Sequence, residues 1–469
     1  MAQTGRIWGT STMQFVELRP LVVDSLPESE VPGDGLLRPL PGGGVVRCIQ
    51  GQTVCRYSRS GDEAYTVPTI HDISATAWGF LEGVRVYARA IVRAEVAGGD
   101  RLWPRSDDAF DLVLAYGEWS RRRVRIRGGR QWKASGLGFY NYDGLSAELR
   151  LWDGVRTELY GGWSLARGLN EPRTGPALSA IESFVPDHRS LIFGVSASYR
   201  PSARGSVTAI YQRELLTNRK GLVSERVALD GLYRRGRFTF EGTFEADLPS
   251  KVVNEATARV RAVFGGGISG RLWARRYEPF FELWTIWGAF TPVAFTELGG
   301  GGAWQTSDGG VSLGLTGSWR SYGDSGASTT FVDPRTSSWR VSANGSARVA
   351  RAWSLQGRYG VDLGFGAAST AAAVRTQWDL DPDAYLGASL EAFQTDYEFR
   401  VQDGTVFGVG LDGGVKMGGR LDLSGGLGAW WHRSDASAVA PDWSQLRAHL
   451  RLRWSVGPEA GLRTPGGVS

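Results

Sequence analysis

The chain has 469 residues and a formal net charge of +5, with Gly 65, Trp 19 and 11% aromatics beside Met 3 and Cys 2. This usage is rich in strand and turn formers and poor in flexible core fillers, so it points away from helical classes. Apolar runs are only a few residues long, far short of the roughly 20 that a membrane-spanning helix needs. The basic balance does not indicate nucleic acid, because the positive charge is nearly all arginine at every second position inside strand-like segments, not a patch or a basic helix.

Length alone suggests two or three soluble domains, yet one turn-and-strand texture runs through the chain, and a single all-β domain over 1–456 with a tail at 457–469 is the expectation. The start, Met1-Ala2-Gln3-Thr4-Gly5, has neither a basic nor an apolar export segment, and it resembles a mature sequence whose signal was removed or omitted. A long connection over 20–67 follows, with Cys48 and Cys55 in a Gly- and Pro-rich stretch. Two readings are open for these cysteines, a small disulfide-closed loop or two unpaired thiols. No second cysteine pair exists, and His71, His188, His432 and His449 lie far apart, so no metal site is expected.

Val84, Val86, Ala88, Ala90, Val92, Ala94 and Val96 fall on one face of an extended segment, with Arg85, Tyr87, Arg89, Ile91, Arg93 and Glu95 on the other. A period of two held this long exceeds a soluble strand of about five or six residues and suits a tilted membrane strand of about nine to eleven. Segments 191–200, 311–320 and 446–454 alternate in the same way. In the last of these Leu446, Ala448, Leu450, Leu452 and Trp454 interleave with Arg447, His449, Arg451 and Arg453. An arginine facing lipid at the bilayer midplane costs about 2–4 kcal/mol, which makes the arginine face the lumen. Arg85, Arg89, Arg93, Arg123, Arg125, Arg127, Arg259, Arg261, Arg447, Arg451 and Arg453 are the expected pore-lining residues.

Tight turns are expected at 82–83, 153–154, 201–205, 235–236, 265–267, 307–310, 381–383 and 418–419, on the periplasmic side. Longer connections are expected at 20–67, 97–107, 132–142, 166–187, 279–292, 323–335 and 433–441, outside the cell. This alternation gives about 22 strands, an even number between about 18 and 26, with both termini periplasmic. Tyr199 and Trp454 then mark one membrane interface, and Trp319 and Trp431 the other. A β-sandwich or propeller would also alternate, but strand length and the arginine face argue against it.

No catalytic residue is assigned. Gly323-Asp324-Ser325-Gly326 resembles a serine-protease nucleophile loop without local support. Gly265, Gly267 and Gly270 fit a dinucleotide-loop spacing, but no helix follows them, and His449 among arginines has no evident serine or carboxylate partner. Rings of arginine favour anions, unless carboxylates such as Glu95, Glu148 and Glu158 neutralise them in cross-strand ladders. The apolar stretch 282–293 reads as a segment that enters the barrel, lies on lipid or is a further strand.

Gly129-Arg130-Gln131-Trp132, followed by Gly136-Leu137-Gly138-Phe139 and Asp143-Gly144, resembles a strand-loop-strand pattern of porin-like outer-membrane barrels, alginate-export relatives included. With 282–293 it also resembles the barrels of porin-cytochrome conduits. That second likeness implies a sheath around a multihaem cytochrome partner, since no Cys-x-x-Cys-His haem attachment motif is present and no cofactor belongs to this chain. The usual barrel ending, a closing strand with a terminal aromatic, is met by Trp454, although the chain continues to Ser469. The sequence thus predicts a channel in outer-membrane lipid for small, anionic solutes, with the sheath barrel as the alternative.

Overall fold

The computed structural model describes residues 4–19, 21–39, 45–49, 51–98, 109–167, 190–217, 221–278, 294–323, 336–364, 368–396, 404–434 and 442–457. In chain order the first strands are β1 (Thr4–Leu18), β2 (Leu21–Pro27), β3 (Leu37–Pro39), β4 (Val45–Cys48), β5 (Val54–Ser60), β6 (Ala64–Thr66), β7 (Pro68–Trp78), β8 (Val84–Glu95) and β9 (Phe110–Arg121). The next are β10 (Val124–Ser135), β11 (Gly138–Trp152), β12 (Val155–Arg167), β13 (Ser190–Ser202), β14 (Gly205–Leu216), β15 (Leu222–Arg235), β16 (Phe238–Asp247), β17 (Val252–Val263) and β18 (Ile268–Tyr277). The last are β19 (Phe295–Gln305), β20 (Val311–Tyr322), β21 (Ser337–Ala350), β22 (Trp353–Leu363), β23 (Ala368–Asp381), β24 (Ala384–Asp396), β25 (Gly404–Lys416), β26 (Leu421–Ser434) and β27 (Trp443–Val456).

Each strand from β7 onward pairs antiparallel with the next, and β1 closes the sheet between β27 and β7, with Ile7 opposite Val456 and Ala75. Short β6 runs straight into β7 and also pairs with β1. Counting β6 and β7 as one, the wall is a closed 22-strand up-and-down barrel, as the alternating pattern predicts. Closure leaves no free edge, so every wall strand finds backbone partners on both sides, the condition for a sheet to exist in lipid.

The outer face is apolar and uncovered: Leu145 is 64%, Leu272 67% and Leu411 64% exposed. On β21 the stretch from Trp339 to Val349, at about 3.4 Å per residue and the ~40° tilt usual for barrel strands, rises about 25 Å, the height of a bilayer's apolar band. Tyr199 and Trp454 lie on this face near the tight-turn ends of β13 and β27, and Trp319 and Trp431 near the other ends of β20 and β26. Trp319 packs beside Trp339 and Trp431 beside Phe407, at centroid distances of 6.4 Å each.

The expected tight turns all occur, and their chemistry is local. Gly154 and Gly236 adopt φ of 85° and 59°, left-handed values open to glycine at no steric cost. In the β19–β20 turn Asp308 accepts a hydrogen bond from the Gly310 amide at 3.0 Å. Its carboxyl is held below the usual range, chiefly by the Thr306 hydroxyl. Two further turns, at 122–123 and 351–352, lie at the same end.

The other end differs from expectation in three places. Residues 132–142 are not a long loop: β10 and β11 run through them and are joined by Gly136-Leu137 alone, with Ser135 opposite Gly138. Trp132 and Phe139 stack at 5.3 Å as cross-strand neighbours; the glycines around Leu137 disguised a hairpin as a connection. Residues 248–251 are also a tight turn, with Lys251 at φ 57°. Finally, the first long connection carries a second sheet, in the order β2-β5-β4-β3. Its residues 64–67 already belong to the wall.

That small sheet buries Val31, Val46, Cys48 and Cys55, with Leu26 and Tyr57 against them. Cys48 and Cys55 are directly opposite and form a disulfide, which selects the first of the two cysteine readings. So small a core needs the cross-link, worth about 2.5 kcal/mol for a loop of this length. Cys48→Ser with Cys55→Ser is expected to speed amide exchange across β2–β5 and leave exchange in the wall unchanged. Loss of protection in the wall as well would show that the insertion and barrel fold as one unit.

The segment 282–293, most of 97–107, 166–187 and 433–441, Asp324 to Gly326, and the tail beyond Gly457 lie outside the described residues.

Candidate functional site: the arginine-lined wall

Alternation places one polar residue in two on the face opposite the apolar belt. A contact that skips a strand occurs on this polar face, where Arg375 of β23 reaches Asp412 of β25 at 2.6 Å. Side chains converge in this way only on the concave side, so the polar face lines the lumen.

Many of its arginines are paired with carboxylates across strands. Arg89 makes a two-armed pair with Asp72 at 2.9 and 2.5 Å. Arg127 meets Glu118 at 2.8 Å, and Arg125 meets Glu148 at 3.1 Å. Arg93 lies 3.7 Å from Asp111, and Arg259 3.1 Å from Glu241. Lys133 pairs with Glu158. Glu95 accepts from the Thr66 hydroxyl. Of the three carboxylates expected to neutralise arginines, Glu148 meets one, Glu158 meets a lysine and Glu95 a hydroxyl. In a water-filled lumen each such pair adds only about 0–1 kcal/mol of stability, so its main effect is to cancel field.

The structure also supplies lumenal pairs that sequence reading missed: Arg275–Glu255 at 3.0 Å, Arg320–Glu297 at 2.5 Å, Arg340–Asp362, and Arg375–Asp412. These strands carry their arginines singly or on mixed faces, so no run of alternating arginine marked them; the opposite carboxylates on neighbouring strands were the available signal. Arg123 departs from expectation differently. It sits in the two-residue β9–β10 turn after Arg122, whose φ is 45°, and is not on the wall face at all.

β27 carries a column of arginines outside this pairing, and Arg150, Arg156, Arg200 and Arg271 also have no ion pair among the described residues. Arg447, His449, Arg451 and Arg453 share the lumenal face. Their direct neighbours on β26 are Gly428, Gly426, Ser424 and Asp422, and on β1 Val16, Gln14, Thr12 and Thr10. Only Asp422 is acidic, and among the described residues none of the three arginines has an ion pair within 4 Å. The Nε of Arg451 is buried without a hydrogen-bond partner among the described residues. Near the long-connection end the Arg447 guanidinium lies 5.4 Å from the Trp430 ring centre. That ring lies flat over Gly408 and Gly428, where a Cβ would strike it. Arg85 and Arg261 are also without an ion pair among the described residues, and Arg261 stands directly opposite Arg271. His449, between two arginines and opposite Gly426 and Gln14, has no serine–carboxylate arrangement in register.

A closed 22-strand antiparallel barrel with an apolar outer belt and a charged lumen defines a porin-like barrel. No protein-family model matches the sequence, and no curated protein matches it. Among solved structures, the P pilus usher translocation pore aligns over 96% of this chain and 99% of its own, with 9% identity and a TM-score of 0.48. The BenF-like porin of Pseudomonas fluorescens Pf-5 aligns over 97% and 99%, with 8% identity and a TM-score of 0.44. OccAB1 of Acinetobacter baumannii aligns over 97% and 96%, with 10% identity and a TM-score of 0.41.

Proposed function

We propose that the chain is a non-enzymatic outer-membrane channel that passes small anionic solutes, with the tight turns on the periplasmic side. The observation that carries this reading is the β27 column: three arginines in line on the lumenal face without ion pairs among the described residues, with Asp422 the one acid among their direct neighbours. An unpaired row of fixed positive charge in a confined aqueous path attracts anions and repels cations. The paired regions add local dipoles but little net field.

Liposome swelling tests this with solutes matched in size and opposite in charge. Faster uptake of the anion is expected, with the preference shrinking as ionic strength rises and the Debye length falls to about 3 Å near 1 M salt. Equal rates for both solutes at low salt would contradict a selective lumen.

A further inference from the structure

The wall folds inward at one place. β10 pairs with β9 only from Val124 to Arg130, although both strands continue toward the long-connection end. On the other side β12 pairs with β13 up to Trp163 opposite Leu191, one residue from the first described residue of β13. Between these limits β10, β11 and β12 stay paired with one another, up to Ser135 opposite Gly138 and Tyr140 opposite Arg167. The ends of three strands therefore form one sheet that has parted from β9, although β9 continues beside it.

A line of glycine crosses its base. Gly129 stands opposite Gly144, and Gly144 opposite Gly162. Gly129 has φ 123° within a strand, a value that side-chain-bearing residues rarely adopt. A Cβ on Gly144 would strike the Gly161 carbonyl, and one on Gly162 the Asp143 carbonyl. Such a row is a crease, where a sheet bends sharply because nothing but backbone occupies it.

Beyond the crease the hairpin tip reaches β15, four strands further round and about 19 Å along the wall at the usual strand spacing. Arg226 of β15 donates to the Leu137 carbonyl at 3.2 Å, and its guanidinium lies 5.5 Å from the Tyr140 ring centre. Leu137, Tyr140 and Tyr142 form one buried cluster with Tyr160, Ile192, Ile210 and Ala228 of the wall. The fit is incomplete in its polar part: Ser164 Oγ and Gln212 Nε2 are buried without hydrogen-bond partners among the described residues, and opening the seat returns such groups to water.

We propose that the creased ends of β10, β11 and β12 are a flap that narrows the lumen when seated on β14 and β15 and widens it when it swings back into line with β9. This rests on the channel reading above. The closed position is set by Leu137 and Tyr140 in their apolar seat, by Arg226 holding the tip and by Lys133 paired with Glu158; the crease lets the unit move without breaking its internal pairing.

A disulfide tests it. A Cβ on Gly136 lies 3.2 Å from Ala228 Cβ, close to the roughly 3.5–4.5 Å of a bridged pair. Gly136→Cys with Ala228→Cys is expected to cross-link under oxidation and fix the channel in its low-conductance state. Reduction should raise mean conductance by about twofold or restore step-wise transitions, since conductance follows the open cross-section. Wild-type protein treated with the same reductant controls for Cys48–Cys55. Cross-linked and reduced channels with equal conductance would remove the flap alone, and so would failure of the two thiols to bridge in assembled protein. No current in either state would remove the channel reading and the gate with it. If the double variant does not assemble, Leu137→Ala gives a second test: more frequent transitions to the wider state are expected, and an unchanged record overturns the proposal.

Discussion

Leu315→Arg is expected to destabilise the barrel by about 2–4 kcal/mol, whereas Thr316→Arg, one residue away, changes stability by less than about 0.5 kcal/mol. Leu315 lies near the middle of β20 on the outer face, 59% exposed, so an arginine there is forced into hydrocarbon near the midplane. Thr316 faces the lumen opposite Gly301 and Ser342, where neighbouring side chains are small and water hydrates the new charge. Unfolding by denaturant from lipid vesicles measures both variants. Similar destabilisation by the two substitutions would show that the two faces do not differ in solvent, and the assignment of belt and lumen would fail with it.

The second large effect concerns selectivity. Replacing Arg447, Arg451 and Arg453 together by glutamate turns three positive charges into three negative ones on a single strand. Gly428, Ser424, Thr12 and Thr10 beside them offer no charge to compensate, and Asp422 opposite position 453 adds a further negative charge. Preference is therefore expected to reverse from anions to cations at low salt. The same change at Arg125 and Arg127 is expected to act differently. Their partners Glu118 and Glu148 would be left facing new carboxylates, so local repulsion lowers stability as well as changing the field. Reversal potentials across planar bilayers, with thermal unfolding run alongside, separate the two outcomes. Anion preference that survives the β27 triple substitution would locate the selective charge elsewhere.

The fold was legible because lipid and lumen impose a strict period of two, and strands such as β8 and β27 keep it across the whole bilayer. Turns were legible for the same kind of reason: the glycines at 154 and 236 sit where left-handed backbone is required. The crease was not. Gly129, Gly144 and Gly162 gave no sign of it, because a glycine that lets two backbones touch looks no different in sequence from one that turns the chain. The disulfide-closed sheet was only half visible, since strands as short as β3 and β4 hold too few residues to show a period. Within the lumen, sequence could place arginines on a face but could not tell paired from unpaired. That distinction depends on the register between neighbouring strands, as where Glu118 meets Arg127 and Gly428 meets Arg447.

The sheath alternative differs from the open channel in one observable, the presence of current. Single-channel recording of the purified protein in a planar bilayer under a salt gradient therefore tests the central claim most directly. Steady open current with a reversal potential on the anion side is the expected result. Absence of open current would mark a barrel plugged or filled by a partner such as a multihaem cytochrome, and a reversal potential on the cation side would contradict the arginine-lined anion path.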